Sequence, residues 1–123
     1  MKTPDAAGAT TDHQSEPPSV RQLSATDLKA MIDRRLLFEL IDVRTEEERA
    51  IASIEGSRLL DKACYDYLLG LDRNTPVVFQ CHHGMRSQAA AEHCLREGFR
   101  NLYNLQGGID AWSQLVDPTV PRY

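Results

Sequence analysis

At 123 residues the chain has room for one compact domain and not for two of ordinary size. Apolar residues at 41%, charged residues at 26% and a mean hydropathy of −0.43 describe a globular protein, and no stretch nears the roughly 18 unbroken apolar residues of a membrane span. A net charge of −4 and a pI near 5.5 argue against DNA or RNA as the principal ligand, because the overall basic field that draws a phosphate backbone is missing.

The residues from Met1 to Ser19 hold Pro4, Pro17, Pro18, Gly8 and scattered acids, with almost no large apolar side chain. They cannot bury enough surface to offset their ordering entropy, which predicts a disordered leader. An apolar signal core is missing, and there is no arginine before Arg21, so neither a secretory signal nor a transit peptide is expected. The folded domain is placed over residues 20–123.

Val20 to Leu23 reads as a short strand. Ser24 reads as an N-cap, with Asp27 at N3, for a helix carrying Leu28, Met31 and Ile32 on one face. Leu36 to Val43 is a nearly continuous apolar run, the pattern of a strand covered on both faces in a parallel sheet. Thr45 with Glu48 fits a capping box, and the run Glu46 to Arg49 reads as a solvated helix face. Ser57 to Leu60 suggests a further short strand, and Asp61 to Leu69 a helix closed by Gly70.

Val77-Val78-Phe79 is the second buried strand. After the loop Cys81 to Arg86, a helix over Ser87 to Glu97 turns Ala90, Ala91, Cys94 and Leu95 inward and stops at Gly98. Asn101 to Leu105 gives the last strand, Gly107-Gly108 a tight turn, and Ile109 to Gln114 a short helix with Trp112 in the core. Pro118 and Pro121 keep the segment from Val116 to Tyr123 extended, beyond the bare domain. Strands alternating with helices predict an α/β fold with a mostly parallel sheet, whose binding crevice lies at the carboxyl ends of its strands. Two loops fall there: Asp42-Val43-Arg44 and Cys81 to Ser87.

Three cysteines, Cys64, Cys81 and Cys94, make an odd count without a C-x-x-C pair, which points to free thiols in a reducing, cytoplasmic compartment. Cys81 stands at the end of a buried strand and before a helix. Amide N–H groups at a helix start lack acceptors and carry partial positive charge. Gly84 lets the loop curl so that those amides converge on the sulfur, and Arg86 adds a permanent cation. Together they lower the thiol pKa from its free value of roughly 8.5, giving a thiolate beside an anion pocket. Cys64 and Cys94 fall on apolar helix faces and read as core residues.

These residues resemble the rhodanese-like sulfurtransferases. The match runs through Leu40-Ile41-Asp42-Val43-Arg44, Ile54-Glu55-Gly56-Ser57, Val77 to Ser87, Gly98-Phe99 and Asn101 to Trp112, nearly all of the folded part. The resemblance implies one α/β domain with a five-stranded, mostly parallel sheet. It implies Cys81 as the catalytic residue, carrying sulfur as a persulfide, with His82, His83, Gly84, Met85, Arg86 and Ser87 forming the binding loop. The functional alternative for Cys64 and Cys94 is that of a second thiol that resolves the persulfide. Arg86 lies five places after Cys81, a C-x4-R ring like that of the sulfurtransferases and shorter than the C-x5-R ring of related phosphatases.

The chain departs from the family pattern at His82, where many thiosulfate-using relatives carry Arg or Lys. It departs again at Ser53, where a histidine is common and the position reads as structural. Asp42 and Arg44 stand near the site as possible supports, read first as a hydrogen-bonded cap with a salt bridge to Glu47 or Glu48. A metal site from Cys81, His82, His83, His93 and Cys94 is not expected, because adjacent ligands would point apart and the spacing matches no usual zinc pattern. A Cys81–His93 dyad is disfavoured because His93 lies nearly two turns into the helix.

The expected reaction is sulfur transfer from a donor such as thiosulfate to a thiol, a sulfur-carrier protein or cyanide, by a monomer needing no metal or organic cofactor. The ending Val116 to Tyr123 resembles that of rhodanese-like domains fused to adenylating enzymes of sulfur-carrier pathways. The alternative is a binding, regulatory or carrier module that keeps the fold and a modifiable Cys81 without turnover.

Overall fold

The structure, a computed structural model, describes residues 17–123, so most of the expected leader lies outside the described residues. Its elements in chain order are β1 (Val20–Leu23), α1 (Ala25–Asp33), β2 (Glu39–Asp42), α2 (Glu46–Ile51), β3 (Arg58–Leu59), α3 (Lys62–Leu69), β4 (Val77–Gln80), α4 (Met85–Arg96), β5 (Leu102–Leu105) and α5 (Gly108–Leu115). The five strands form one sheet in the order β1-β5-β4-β2-β3, and every neighbouring pair is parallel. Among the described residues, no helix is long and apolar enough to cross a membrane.

Successive side chains of a strand point to opposite faces, and β4 shows why its sequence is uninterrupted apolar. Val78 joins a cluster with Leu28, Leu105, Ile109 and Trp112 under α1 and α5, while Val77 and Phe79 join Leu68, Ala91, Cys94 and Phe99 under α3 and α4. Both faces of the sheet are covered. Cys64, Cys94 and Trp112 are core residues.

The local signals hold at the helix starts. Ser24 Oγ accepts from the Asp27 amide at 3.1 Å, Asp61 caps α3 through the Cys64 amide at 2.8 Å, and Thr45 and Glu48 form the reciprocal capping box. Two expectations are corrected. β2 begins at Glu39 and not at Leu36, because α1 closes through a left-handed Arg35 (φ 55) and the Leu36 amide bonds back to Met31 C=O at 3.1 Å, leaving Leu36 and Leu37 exposed. The C-terminal segment is not extended either. It turns where the Val120 amide meets Asp117 C=O at 3.1 Å, and Val120 returns into the core, its C=O accepting from Ser113 Oγ at 2.5 Å.

Candidate active site

Three parallel strands end side by side at the site: β4 delivers Cys81, β2 delivers Asp42 and Arg44, and β5 delivers Asn104. Cys81 is buried, with 1% of its surface exposed. Its Sγ accepts hydrogen bonds from the Gly84 amide at 3.1 Å, the Ser87 amide at 3.4 Å and Ser87 Oγ at 3.3 Å. Burial pushes the thiol pKa up, but donation from Ser87 Oγ and from the amides of Ser87, Gly84 and His83 outweighs it, and the net direction is down. Burial has no such answer at the other two thiols: Cys64 is raised and Cys94 is pushed up to about 11.

The inward turn of these amides has a cause outside the loop. The first amides of α5 have no intrahelical acceptor, and they take the loop's carbonyls instead: Ile109 N–H donates to Cys81 C=O at 2.8 Å and Asp110 N–H to His82 C=O at 3.2 Å. A trans peptide points its C=O and N–H in opposite directions, so drawing the His82 carbonyl toward α5 turns the His83 N–H toward the sulfur. Such an approach leaves no room for a side chain at Gly108, where a Cβ would lie 2.4 Å from both loop carbonyl oxygens. Gly84 supplies the other required turn, at φ 114 as the N-cap of α4.

Asn104 fixes the loop from below. Its Nδ2 donates to Gly84 C=O at 3.1 Å and to Gln22 Oε1 at 3.0 Å, and its Oδ1, 2.5 Å from Ser87 Oγ, competes with Cys81 Sγ for the single proton of that hydroxyl. The sequence reading passed over this residue. A buried asparagine in the otherwise apolar β5 was the available signal, since a buried amide must find partners.

The structure redistributes the charged residues. Arg86 does not seal the ring: its guanidinium makes a two-pronged bond to Glu48, at 2.8 and 3.0 Å, and among the described residues no hydrogen bond joins it to Cys81 Sγ. That pairing holds the Glu48 carboxyl well below the usual range and raises Arg86. The run Glu46 to Arg49 is therefore not simply a solvated face, since Glu48 belongs to the rim and Arg49 reaches Asp42 at 2.8 Å. Arg44 makes no salt bridge to Glu47 or Glu48. It clasps Asp42 through Nε at 2.9 Å and Nη2 at 2.8 Å, with both side chains fully buried.

Met85, expected in the binding loop, is the first residue of α4 and is 85% exposed. The His82 ring stacks on His83 with centroids 3.9 Å apart, so the adjacent imidazoles lie together and do not point apart as expected. With Asp110 they bring three potential ligand atoms within 4.8 Å of one another, although Asp110 is already paired with Arg122 at 2.9 Å. His93 bonds Tyr65 at 2.8 Å on the far part of α4, and makes no bond to Cys81 among the described residues. Ser53 is exposed between the buried Ala52 and Ile54, so its side chain takes no part in the core there.

The hydroxyl of Ser87 is one of four donors to the sulfur, which gives a direct test. Ser87→Ala is expected to move the midpoint of Cys81 alkylation by iodoacetamide up by roughly one pH unit, since thiolate is the reacting form and one of its stabilising bonds is lost. An unchanged midpoint would assign the hydroxyl proton wholly to Asn104.

The family profile described as the rhodanese-like domain matches residues 24–115. The thiosulfate sulfurtransferase GlpE of Pseudomonas paraeruginosa is 35% identical over 75 residues, spanning 60% of this chain and 68% of that relative. Among solved structures, a rhodanese-like domain protein from Staphylococcus aureus superposes with a TM-score of 0.68 at 25% identity, over 85% of this chain and 99% of its own. A rhodanese-related protein from Thermoplasma volcanium gives 0.65 at 28% identity, over 84% and 99%. With the profile running across both strand-end loops and four of the five strands, the chain belongs to the rhodanese-like domain family.

Proposed function

We propose that this protein is a sulfurtransferase that carries sulfane sulfur as a persulfide on Cys81. The observation that carries the reading is the convergence of the Gly84, Ser87 and His83 amides and the Ser87 hydroxyl on one buried sulfur, in a chain whose other two thiols are held neutral. Such a ring stabilises negative charge on Sγ and on a second sulfur bonded to it, as preorganised donors do wherever charge is transferred. The name of the GlpE relatives supports thiosulfate as one donor.

The cycle has two displacements. Cys81 thiolate attacks the outer sulfur of thiosulfate, an S–S bond forms, and the bond to the sulfonate sulfur breaks with its electron pair leaving on sulfite. An acceptor, cyanide in the test tube or a thiol or sulfur-carrier protein in the cell, then attacks the terminal sulfur, and Cys81 leaves again as thiolate. Both steps balance without an added oxidant, reductant, metal or organic cofactor. Each donor to Cys81 comes from one chain, so a monomer suffices. Three free thiols suit a reducing cytoplasm, where acceptor thiols are abundant.

Incubation with thiosulfate followed by intact-mass measurement tests the reading. A gain of one sulfur atom is expected, reversed by cyanide and missing in Cys81→Ser. No gain with thiosulfate or with any persulfide donor would leave a non-turnover module of the same fold.

A further inference from the structure

Tyr123 lies beyond the stretch that the family profile matches, yet it touches three parts of the rim around Cys81. Its ring lies flat on His82, with centroids 3.9 Å apart and planes 7° from parallel. Its hydroxyl accepts from Arg44 Nη1 at 2.8 Å and donates to Glu48 Oε2 at 2.8 Å. The same Oε2 accepts from Arg86 Nη2 at 3.0 Å. One side chain thus joins the β2–α2 corner, the loop and the first turn of α4.

The tail that brings it there is anchored. Val120 is buried, its carbonyl is held by Ser113, and Arg122 pairs with Asp110, the residue whose amide holds the His82 carbonyl. We propose that Tyr123 is a positioning residue that sets how much of the Arg86 charge the rim offers to an anionic donor. The thiosulfate arm of this proposal rests on the sulfur-transfer reading.

The physical argument turns on Glu48. Its Oε1 accepts from Thr45 and Arg86 and its Oε2 from Arg86 and the phenol, and the charge-assisted bond from the phenol takes up part of its negative charge. The Arg44 bond fixes the hydroxyl proton toward Glu48, because Arg44 is donor only. Without the hydroxyl, Oε2 is left to Arg86 while Oε1 keeps its Thr45 bonds, so more of the carboxylate charge falls on Arg86 and neutralises that cation. The amides that face Cys81 are held by α4, α5 and Asn104, so the sulfur's own hydrogen bonds remain.

The experiment compares Tyr123→Phe and Tyr123→Ala with the native chain. Cys81 is alkylated with the anion iodoacetate and with neutral iodoacetamide, and the site of modification is confirmed by peptide mass. In Tyr123→Phe the iodoacetate-to-iodoacetamide rate ratio falls roughly threefold or more, while the pH midpoint with iodoacetamide is unchanged. Thiosulfate turnover shows the same split: KM rises and kcat stays within about twofold. Tyr123→Ala falls at least as far.

A ratio unchanged in both variants would overturn the proposal. So would a fall in Tyr123→Ala alone, which would place the effect in the ring and not in the hydroxyl. A common drop in thermal midpoint and kcat at constant KM and constant ratio would assign Tyr123 a purely structural role. Alkylation needs no persulfide, so its ratio decides the role of Tyr123 even if no sulfur is transferred.

Discussion

Gly108→Ala is expected to lower the stability of the domain by about 2–6 kcal/mol, and to raise the pH at which Cys81 becomes reactive. The first part follows from space and backbone. A Cβ at residue 108 would lie 2.4 Å from Cys81 O and His82 O and 2.5 Å from the His82 carbonyl carbon, all of them main-chain atoms with no rotamer to change. Overpacking of this kind costs about 1–3 kcal/mol, and a non-glycine residue held at φ +61 about 1–3 more. The second part follows from what has to move. Relief requires α5 to draw back, which releases the two carbonyls that its amides hold, and the peptide joining His82 to His83 is then free to rotate its N–H away from the sulfur. Gly56→Ala is the control. It stands at φ +88 with nothing within 4 Å of the added carbon, so it carries the backbone cost without the clash and leaves Cys81 reactivity alone. Urea midpoints for the two variants, with the iodoacetamide pH profile of each, check both parts. Equal midpoints and unshifted profiles would mean that α5 does not orient the loop.

What could be read from the sequence was local or periodic. Ser24, Thr45 and Asp61 announce helix starts because a cap is made within three residues. The uninterrupted apolar β4 announces a two-sided sheet because strand periodicity is a property of neighbours. Cys81 was legible for the same reason: a thiol between a buried strand and a glycine-opened helix is a local arrangement. The Gly107-Gly108 pair was legible as a tight turn but not as the place where α5 meets the loop, since that contact is with residues more than twenty places earlier in the chain.

The charged rim was misread because nothing local encodes it. Glu48 and Arg86 are 38 residues apart, and Glu48 and Tyr123 are 75 apart. A glutamate in an acidic first helical turn looks solvated until the fold carries a guanidinium to it. The tail was misread because two prolines describe backbone stiffness and not destination. Its direction is decided by Val120 finding the apolar cluster under α5.

Asp42→Ala is expected to destabilise the domain by about 3–5 kcal/mol, a large share of the roughly 5–15 kcal/mol that holds a domain of this size together. Asp42 is fully buried and accepts four hydrogen bonds: the Arg44 amide at 3.0 Å, Arg44 Nε at 2.9 Å, Arg44 Nη2 at 2.8 Å and Arg49 Nη1 at 2.8 Å. The carboxylate and the guanidinium of Arg44 are both out of contact with water, so deleting one partner strands the other charge in the interior. Arg49 is partly exposed and can turn to solvent, so the loss is governed by Arg44. A second substitution separates this account from a simple loss of packing. If the stranded charge is what destabilises, Asp42→Ala combined with Arg44→Met recovers a good part of the loss, because an apolar side chain of similar length carries no charge to solvate. If the pair matters only as packing, the double variant is worse than either single one. Urea midpoints across the four-protein cycle decide between them. The iodoacetamide midpoint of Cys81 is expected to stay in place in every folded variant, because the donors to its sulfur come from α4 and its loop and not from the β2–α2 corner.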